Sequence, residues 1–276
     1  MKKILIPTDF SDNAKNAANY GITLFDAEET VFAFLNTFYI PYSTAEVAYS
    51  YDDDISRQNA DQLFDTEKKR IAKNFPNLKG KLESHFELGA IVEVANSFIQ
   101  RENIDYMVMG TKGASGFSEV LVGSRTASMI KKVDCPIIVV PEDARFKNPE
   151  KILFTTDKEL QNEDLNIDIL VDIAKKYDSN IHGLYVSKTG ENMNVEATFI
   201  QYDLDLKLVD VKHDLEVDVN KDPINAIENY TKRYSVDLIA MISTKGNLFH
   251  ELFHKSVTKR VAMHTDIPML IMHTKV

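Results

Sequence analysis

The run Gly110-Thr111-Lys112-Gly113-Ala114-Ser115-Gly116 is followed by residues 117–122 and then by Gly123-Ser124. Glycines let a backbone come close to a ligand, because no Cβ intervenes. Residues 124–133 read as a helix, whose start offers unpaired N–H groups and the positive end of its dipole. With the Ser124 hydroxyl added, the segment suits a phosphate, or it is an ordinary flexible connection. It is neither a P-loop nor a G-x-G-x-x-G dinucleotide fingerprint, because both spacings are absent. Lys112 either neutralises phosphate or stands exposed on the loop. Asp9, which closes the apolar run of residues 3–8, reads as a turn or capping aspartate or as a ligand residue. A carboxylate beside a polyphosphate is repelled unless Mg²⁺ lies between them, so the ligand reading implies Mg²⁺ held through phosphate or water, or a hydroxyl partner on the ligand.

A second candidate, His250-Glu251-Leu252-Phe253-His254, satisfies H-E-x-x-H, the helical zinc and general-base pattern. It lacks a third ligand: Arg260 stands at the extended position, no glutamate follows Glu251, and Asp266 belongs to a later turn. The motif reads as accidental. With no positioned general base, arginine finger or second acidic metal motif, no residue is assigned a catalytic role, and any hydrolysis of a bound phosphate ester is expected to be slow.

The elements that must position these residues alternate. Residues 3–8 suit a buried parallel strand. Ser11 or Asp12 can cap a helix whose apolar stripe is Ala14, Ala17, Ala18, Gly21, Ile22 and Phe25. Strands are expected at 30–38, 82–88, 105–109 and 135–140, and helices at 56–75, 91–99 and 124–133. Such a series predicts an α/β domain with a mostly parallel sheet, binding its ligand at the carboxyl ends of the strands.

The chain repeats itself. Lys3-Ile4-Leu5-Ile6-Pro7-Thr8-Asp9 returns as Lys151-Ile152-Leu153-Phe154-Thr155-Thr156-Asp157, and Thr111-Lys112-Gly113 returns as Thr244-Lys245-Gly246. Asp134-Cys135-Pro136-Ile137 is answered by Asp266-Ile267-Pro268-Met269. The expectation is two tandem doubly wound, Rossmann-like domains, each with a five-stranded sheet, over 1–142 and 150–276, joined by a polar linker at 143–149. The second copy keeps Asp157, Gly246 and Ser256 but has Lys255 where the first has Gly123, and Ile242 or Ser243 where the first has Gly110. Side chains there occupy places where backbone must approach phosphate, so this half is expected to bind such a ligand weakly or not at all. Lys255 as a replacement phosphate ligand is the alternative.

Three motifs, in order and on the right elements, carry a resemblance. Ile6-Pro7-Thr8-Asp9-Phe10-Ser11, Gly110-x2-Gly113-x9-Gly123-Ser124 and Asp134-Cys135-Pro136-Ile137-Ile138-Val139-Val140 resemble the opening strand, nucleotide loop and closing strand of universal stress proteins. The resemblance implies an adenine nucleotide site for ATP, ADP or AMP with Mg²⁺. Pro7, Thr8 and Asp9 would lie by ribose and phosphates, Thr37 by the adenine and Gly110 by the ribose. Gly113, Gly123, Ser124, Arg125 and Thr126, with Lys112, would surround the phosphates. It also implies a stress-response or regulatory role. Family members pair through their last strands, so residues 137–140 and 269–272 are expected to form an intrachain pseudo-dimer, with a homodimer also open. A nucleotide-independent interaction scaffold is the competing function.

Composition agrees with a folded, water-soluble chain: 44% hydrophobic and 27% charged, with no apolar run near the ~20 residues that span a bilayer. The N-terminal apolar run is too short for a signal peptide. A net charge of −10 argues against a nucleic-acid surface, and the single cysteine, Cys135, fits a buried residue in a reducing, cytoplasmic setting. Residues 38–54, with four tyrosines and a triple aspartate, read as a lid or as an acidic surface loop.

Overall fold

A computed structural model describes residues 1–38, 53–111, 124–133, 135–156, 167–187, 190, 193–243 and 267–273. The chain divides into two compact units, Met1–Glu142 and Asp143–Val276.

In the first unit the elements run β1 (Lys2–Pro7), α1 (Asp12–Phe25), β2 (Thr30–Phe38), α2 (Asp53–Asn74), β3 (Lys81–Leu88), α3 (Ile91–Glu102), β4 (Tyr106–Gly110), α4 (Ser124–Lys132) and β5 (Ile137–Val140). The strands are all parallel, in the order β3-β2-β1-β4-β5, so the chain direction across the sheet reverses between β1 and β4. Ile4, Leu5 and Ile6 are fully buried, as a strand covered on both faces requires. β5 starts at Ile137 rather than at Cys135. Pro136 has no N–H to give a ladder, and its carbonyl accepts from the Met107 N–H at 2.9 Å.

Helix α1 is placed by its ends. The Ser11 hydroxyl accepts from the Ala14 N–H at 3.3 Å, which fixes Ser11 as the N-cap. At the other end the Asp26 carboxylate accepts from the N–H groups of Lys79 and Gly80, both at or below 3.0 Å, tying α1 to the start of β3. Helix α2 buries Ala60, Phe64, Glu67 and Ile71, one per turn or so, against the body of the unit.

The second unit repeats the plan with β6 (Lys151–Thr156), α5 (Asp168–Tyr177), β7 (Asn180–Ser187), α6 (Met193–Lys207), β8 (Lys212–Val219), α7 (Pro223–Tyr234), β9 (Leu238–Ser243) and β10 (Met269–His273). Its parallel order is β8-β7-β6-β9-β10. The repetition reaches individual bonds. Asp105 takes the Lys3 N–H at 2.7 Å, and Asp237 takes the Lys151 N–H at 3.0 Å. The helices before these aspartates both end on a left-handed residue, Asn103 and Ser235, each at φ 52 and ψ 58.

One ionic contact of the second unit has a pH signature. His213 sets Nδ1 2.8 Å from the Val211 carbonyl and Nε2 2.9 Å from Asp205. Burial disfavours the imidazolium, but the Val211 carbonyl, Asp205 and Asp214 outweigh it and hold His213 above its ordinary value. His213, followed by Gln201, holds Asp205 below the usual carboxylate range. The histidine contribution is present below its unfolded pKa and is lost as pH rises through the folded one. The aspartate contribution is present above its unfolded pKa and is lost as pH falls through the folded one. His213→Gln is therefore expected to lower Tm at about pH 5.5 and to leave it nearly unchanged at about pH 8.5, read by scanning calorimetry. Equal losses at both pH values would count against the ionic account.

Candidate functional site

The carboxyl end of β1 is held in a specific turn. The Thr8 N–H donates to the Leu35 carbonyl at 2.9 Å, and the Thr8 carbonyl accepts from Asn36 Nδ2 at 2.6 Å. The Thr8 hydroxyl accepts the Phe10 N–H at 3.0 Å, and Asp9 Oδ1 accepts the Ser11 N–H at 3.1 Å. Between them Phe10 adopts φ 60, a left-handed conformation costly for a bulky residue. Its ring lies edge-on to Phe64 of α2, with centroids 5.1 Å apart, so packing offsets that strain. Pro7, Thr8 and Asp9 are thus brought to one end of the sheet. Thr37, near the end of β2, pairs in register with Glu87 at the same end.

At the end of β4, Gly110 has a neighbour that explains its lack of a side chain. A Cβ on Gly110 would lie 1.6 Å from Asn13 Oδ1, so the Asn13 amide fills the space a side chain would take. Asn13 is only 6% exposed, and neither amide atom has a hydrogen-bond partner among the described residues. Thr126, also buried, donates from Oγ1 to the Gly110 carbonyl at 3.0 Å, with the Thr111 carbonyl at 3.3 Å. That bond fastens the first turn of α4 to the end of β4. The helix begins at Ser124, followed by the exposed Arg125, and has no acidic residue in its first turn.

The two helix starts beside the sheet therefore differ. The α1 start is capped by Ser11, with Asp9 ahead of it and Asp12 in its first turn, so its dipole is already answered by carboxylates. The first turn of α4 carries a cation, Arg125, and no acidic residue, which suits an anion. Lys112, Gly113 and Gly123 lie outside the described residues, as do the segment 39–52, the H-E-x-x-H motif at 250–254, Asp157, Gly246, Lys255 and Ser256. No group of three or more metal-ligating side chains occurs among the described residues, and no described helix is long and apolar enough to cross a membrane.

Asn13, Asn36 and the left-handed Phe10 were not legible as site residues. The available signal was Asn13 itself, which stands in helical register with Ala17, Tyr20 and Leu24 on the buried face of α1. A polar residue on an apolar stripe asks for a partner.

In the second unit a cavity of about 570 Å³ lies at the opposite, amino ends of β6, β7 and β8, lined by Lys151, Asn180, His182 and Lys212 among others. Two of its polar side chains already have partners: Lys212 pairs with Asp178 at 2.9 Å, and His182 Nδ1 lies 2.9 Å from Asp214. Burial pushes the Tyr177 hydroxyl on its wall up to about 12, leaving a neutral phenol.

A five-stranded parallel α/β plan occurring twice, each with its strand order reversing within the sheet, defines a tandem doubly wound architecture. Both copies match the universal stress protein family, over residues 1–141 and 149–273, and the chain belongs to that family. A universal stress protein of Methanocaldococcus jannaschii is 30% identical over 155 residues, covering 54% of this chain and 84% of the relative. The crystal structure of a universal stress protein from Archaeoglobus fulgidus aligns with TM-score 0.69 and 16% identity over 99% of this chain and 96% of that one. A putative universal stress protein from Pseudomonas aeruginosa aligns with TM-score 0.60 and 11% identity over 99% and 94%. At those identities the two structures speak to the fold alone.

Proposed function

We propose that the first unit binds ATP or a related adenine nucleotide across the ends of β1 and β4, and that the protein acts in stress response or regulation rather than in rapid chemistry. The observation that carries this reading is the asymmetry of the two helix starts. Phosphates belong at the first turn of α4, which begins with Ser124 and Arg125 and holds no acidic residue. Hydroxyls, or Mg²⁺ carried on the phosphates, belong beside Asp9. The Asn13 amide, without a partner among the described residues, is a further polar group at this end of the sheet. Lys112, Gly113 and Gly123 complete the phosphate cradle in this reading, with Pro7, Thr8 and Thr37 on the ribose and base side.

The second unit is proposed to be silent, because Lys255 stands where the first copy has Gly123. Equilibrium titration of nucleotide-stripped protein with a fluorescent ATP analogue, with and without Mg²⁺, tests the reading, and saturable binding to one site per chain is expected. Gly123→Lys should weaken that binding by at least about a hundredfold, since a Cβ and a long side chain enter the phosphate approach, while far-ultraviolet dichroism stays unchanged. Undiminished affinity in that variant would remove the phosphate assignment.

A further inference from the structure

We infer that the outer face of α6 is a docking seam for an amphipathic helix of a partner protein, one whose apolar stripe is bordered by lysine or arginine. The inference is independent of the nucleotide reading, because α6 lies in the second unit, between β7 and β8.

The seam follows from how α6 is seated. Its inner face buries Ile200 and Leu204. A Cβ on Gly183 of β7 would lie 3.0 Å from Leu204 Cδ1, so the missing side chain makes room for that leucine. Asp205 then meets His213 Nε2 of β8 at 2.9 Å. A half-turn of the helix about its axis would break both contacts, so the face turned to solvent is fixed. That face carries Val195, Phe199, Tyr202 and Leu206, each between 55% and 61% exposed. Steps of four, three and four residues set them on one line, roughly 150° round the helix from the buried pair.

The fold itself does not call for these four. The helix in the same place of the first unit, α2 between β2 and β3, turns Gln58, Gln62, Asp65 and Lys69 to solvent. Single exposed apolar residues are ordinary, but a continuous stripe with two aromatic rings marks a contact surface. Four such side chains, each a little over half exposed, offer on the order of 500 Å², which suits one helix laid along another better than a subunit interface of ~800 Å² per side.

The charges beside the stripe choose the partner. Asp203 and Asp205 border it on its two sides, roughly 80° from its centre, where a two-helix seam places the residues that meet the partner's flanks. Lys207 lies farther round, toward the buried face. A second copy of the chain would set these aspartates against their own kind, and a net charge of −10 adds to the repulsion. Helices that lie on an anionic bilayer carry lysine and arginine beside the stripe, the reverse of this arrangement. A helix with an apolar stripe and basic borders satisfies both the stripe and its aspartates.

The test uses the full chain and two synthetic helical peptides that share one leucine stripe, bordered by lysine in the first and by glutamate in the second. Fluorescence anisotropy is expected to show the lysine-bordered peptide binding saturably, one per chain, and at least about tenfold more tightly than the glutamate-bordered one. Phe199→Ser/Leu206→Ser, at exposed positions, should weaken that binding by at least about thirtyfold while thermal unfolding is unchanged. Asp203→Lys, which leaves the His213 contact in place, should narrow the gap between the two peptides. Absence of saturable binding, equal binding of both peptides, or undiminished affinity in Phe199→Ser/Leu206→Ser overturns the inference. Sedimentation equilibrium of the protein alone gives a further outcome: a parent dimer that the serine variant converts to monomer assigns the face to a second copy and overturns it. Flotation of the parent, but not of the serine variant, with phosphatidylserine vesicles overturns it in favour of a bilayer.

Discussion

Gly110→Ala is expected to destabilise the protein by about 2–3 kcal/mol, more than most single-methyl additions, because the new Cβ has nowhere to go. It would fall 1.6 Å from Asn13 Oδ1 and 3.2 Å from the Asn13 carbonyl oxygen, so either the amide swings away or α1 lifts from β4. Neither is easy: Asn13 sits in a helix capped by Ser11, and Gly110 is held through its carbonyl by Thr126. The cause is one specific pair, so the double variant Gly110→Ala/Asn13→Ala should recover most of the loss. The methyl added at one position then occupies space vacated at the other. Urea unfolding of the parent, both single variants and the double variant should give a coupling of about 1–3 kcal/mol. If Gly110→Ala proves as stable as the parent, the close approach does not constrain the native state.

This pair shows where the sequence was readable and where it was not. Gly110 stood out as a glycine needed for a close approach to a ligand, and the structure adds a side chain packed against it from ninety-odd positions earlier in the chain. Only the parallel pairing of β1 with β4 brings the two together. The strands were legible because Ile4 to Ile6 and Ile137 to Val140 are unbroken apolar runs, and α1 because its small residues recur at helical spacing. Helix α6 was obscure for a physical reason. Ile200, Leu204 and Leu208 are buried, but Val195, Phe199, Tyr202 and Leu206 are exposed, so apolar residues fall on two faces and no single stripe emerges. The turn at Phe10 was equally hidden, since no residue type at that position announces a left-handed backbone. The expected role of Thr126 near phosphate acquires a second component, because its hydroxyl proton is given to the backbone of β4.

Glu67→Ala is expected to cost about 3 kcal/mol, an effect that only the packed structure exposes. Glu67 lies on the buried face of α2 with its side chain 5% exposed, and it receives two bonds from Arg70: Nε to Oε2 at 2.8 Å and Nη2 to Oε1 at 2.7 Å. Arg70 Nη1 continues to Asn19 Oδ1 on α1 at 2.8 Å, so the pair bolts α2 to α1. Removing the carboxylate strands a guanidinium that is mostly withdrawn from water, the costly way to break a buried pair. Arg70 keeps 23% of its side chain exposed, which lets water recover part of the loss and sets the expected value near the lower end of the roughly 3–5 kcal/mol that breaking a buried pair costs. Replacing both ends with apolar groups, Glu67→Leu/Arg70→Met, removes both charges and should come within about 1 kcal/mol of the parent. Urea midpoints at constant m-value distinguish the two cases. A double variant worse than Glu67→Ala would mean that the network contributes net stability. The consequence reaches the site through Phe64, one turn before Glu67 on the same helix, which holds the Phe10 ring. Glu67→Ala should therefore weaken nucleotide binding along with stability, because Phe10 fixes the turn that presents Asp9. In the apolar double variant α2 stays docked, so the same chain of contacts predicts that binding returns with it.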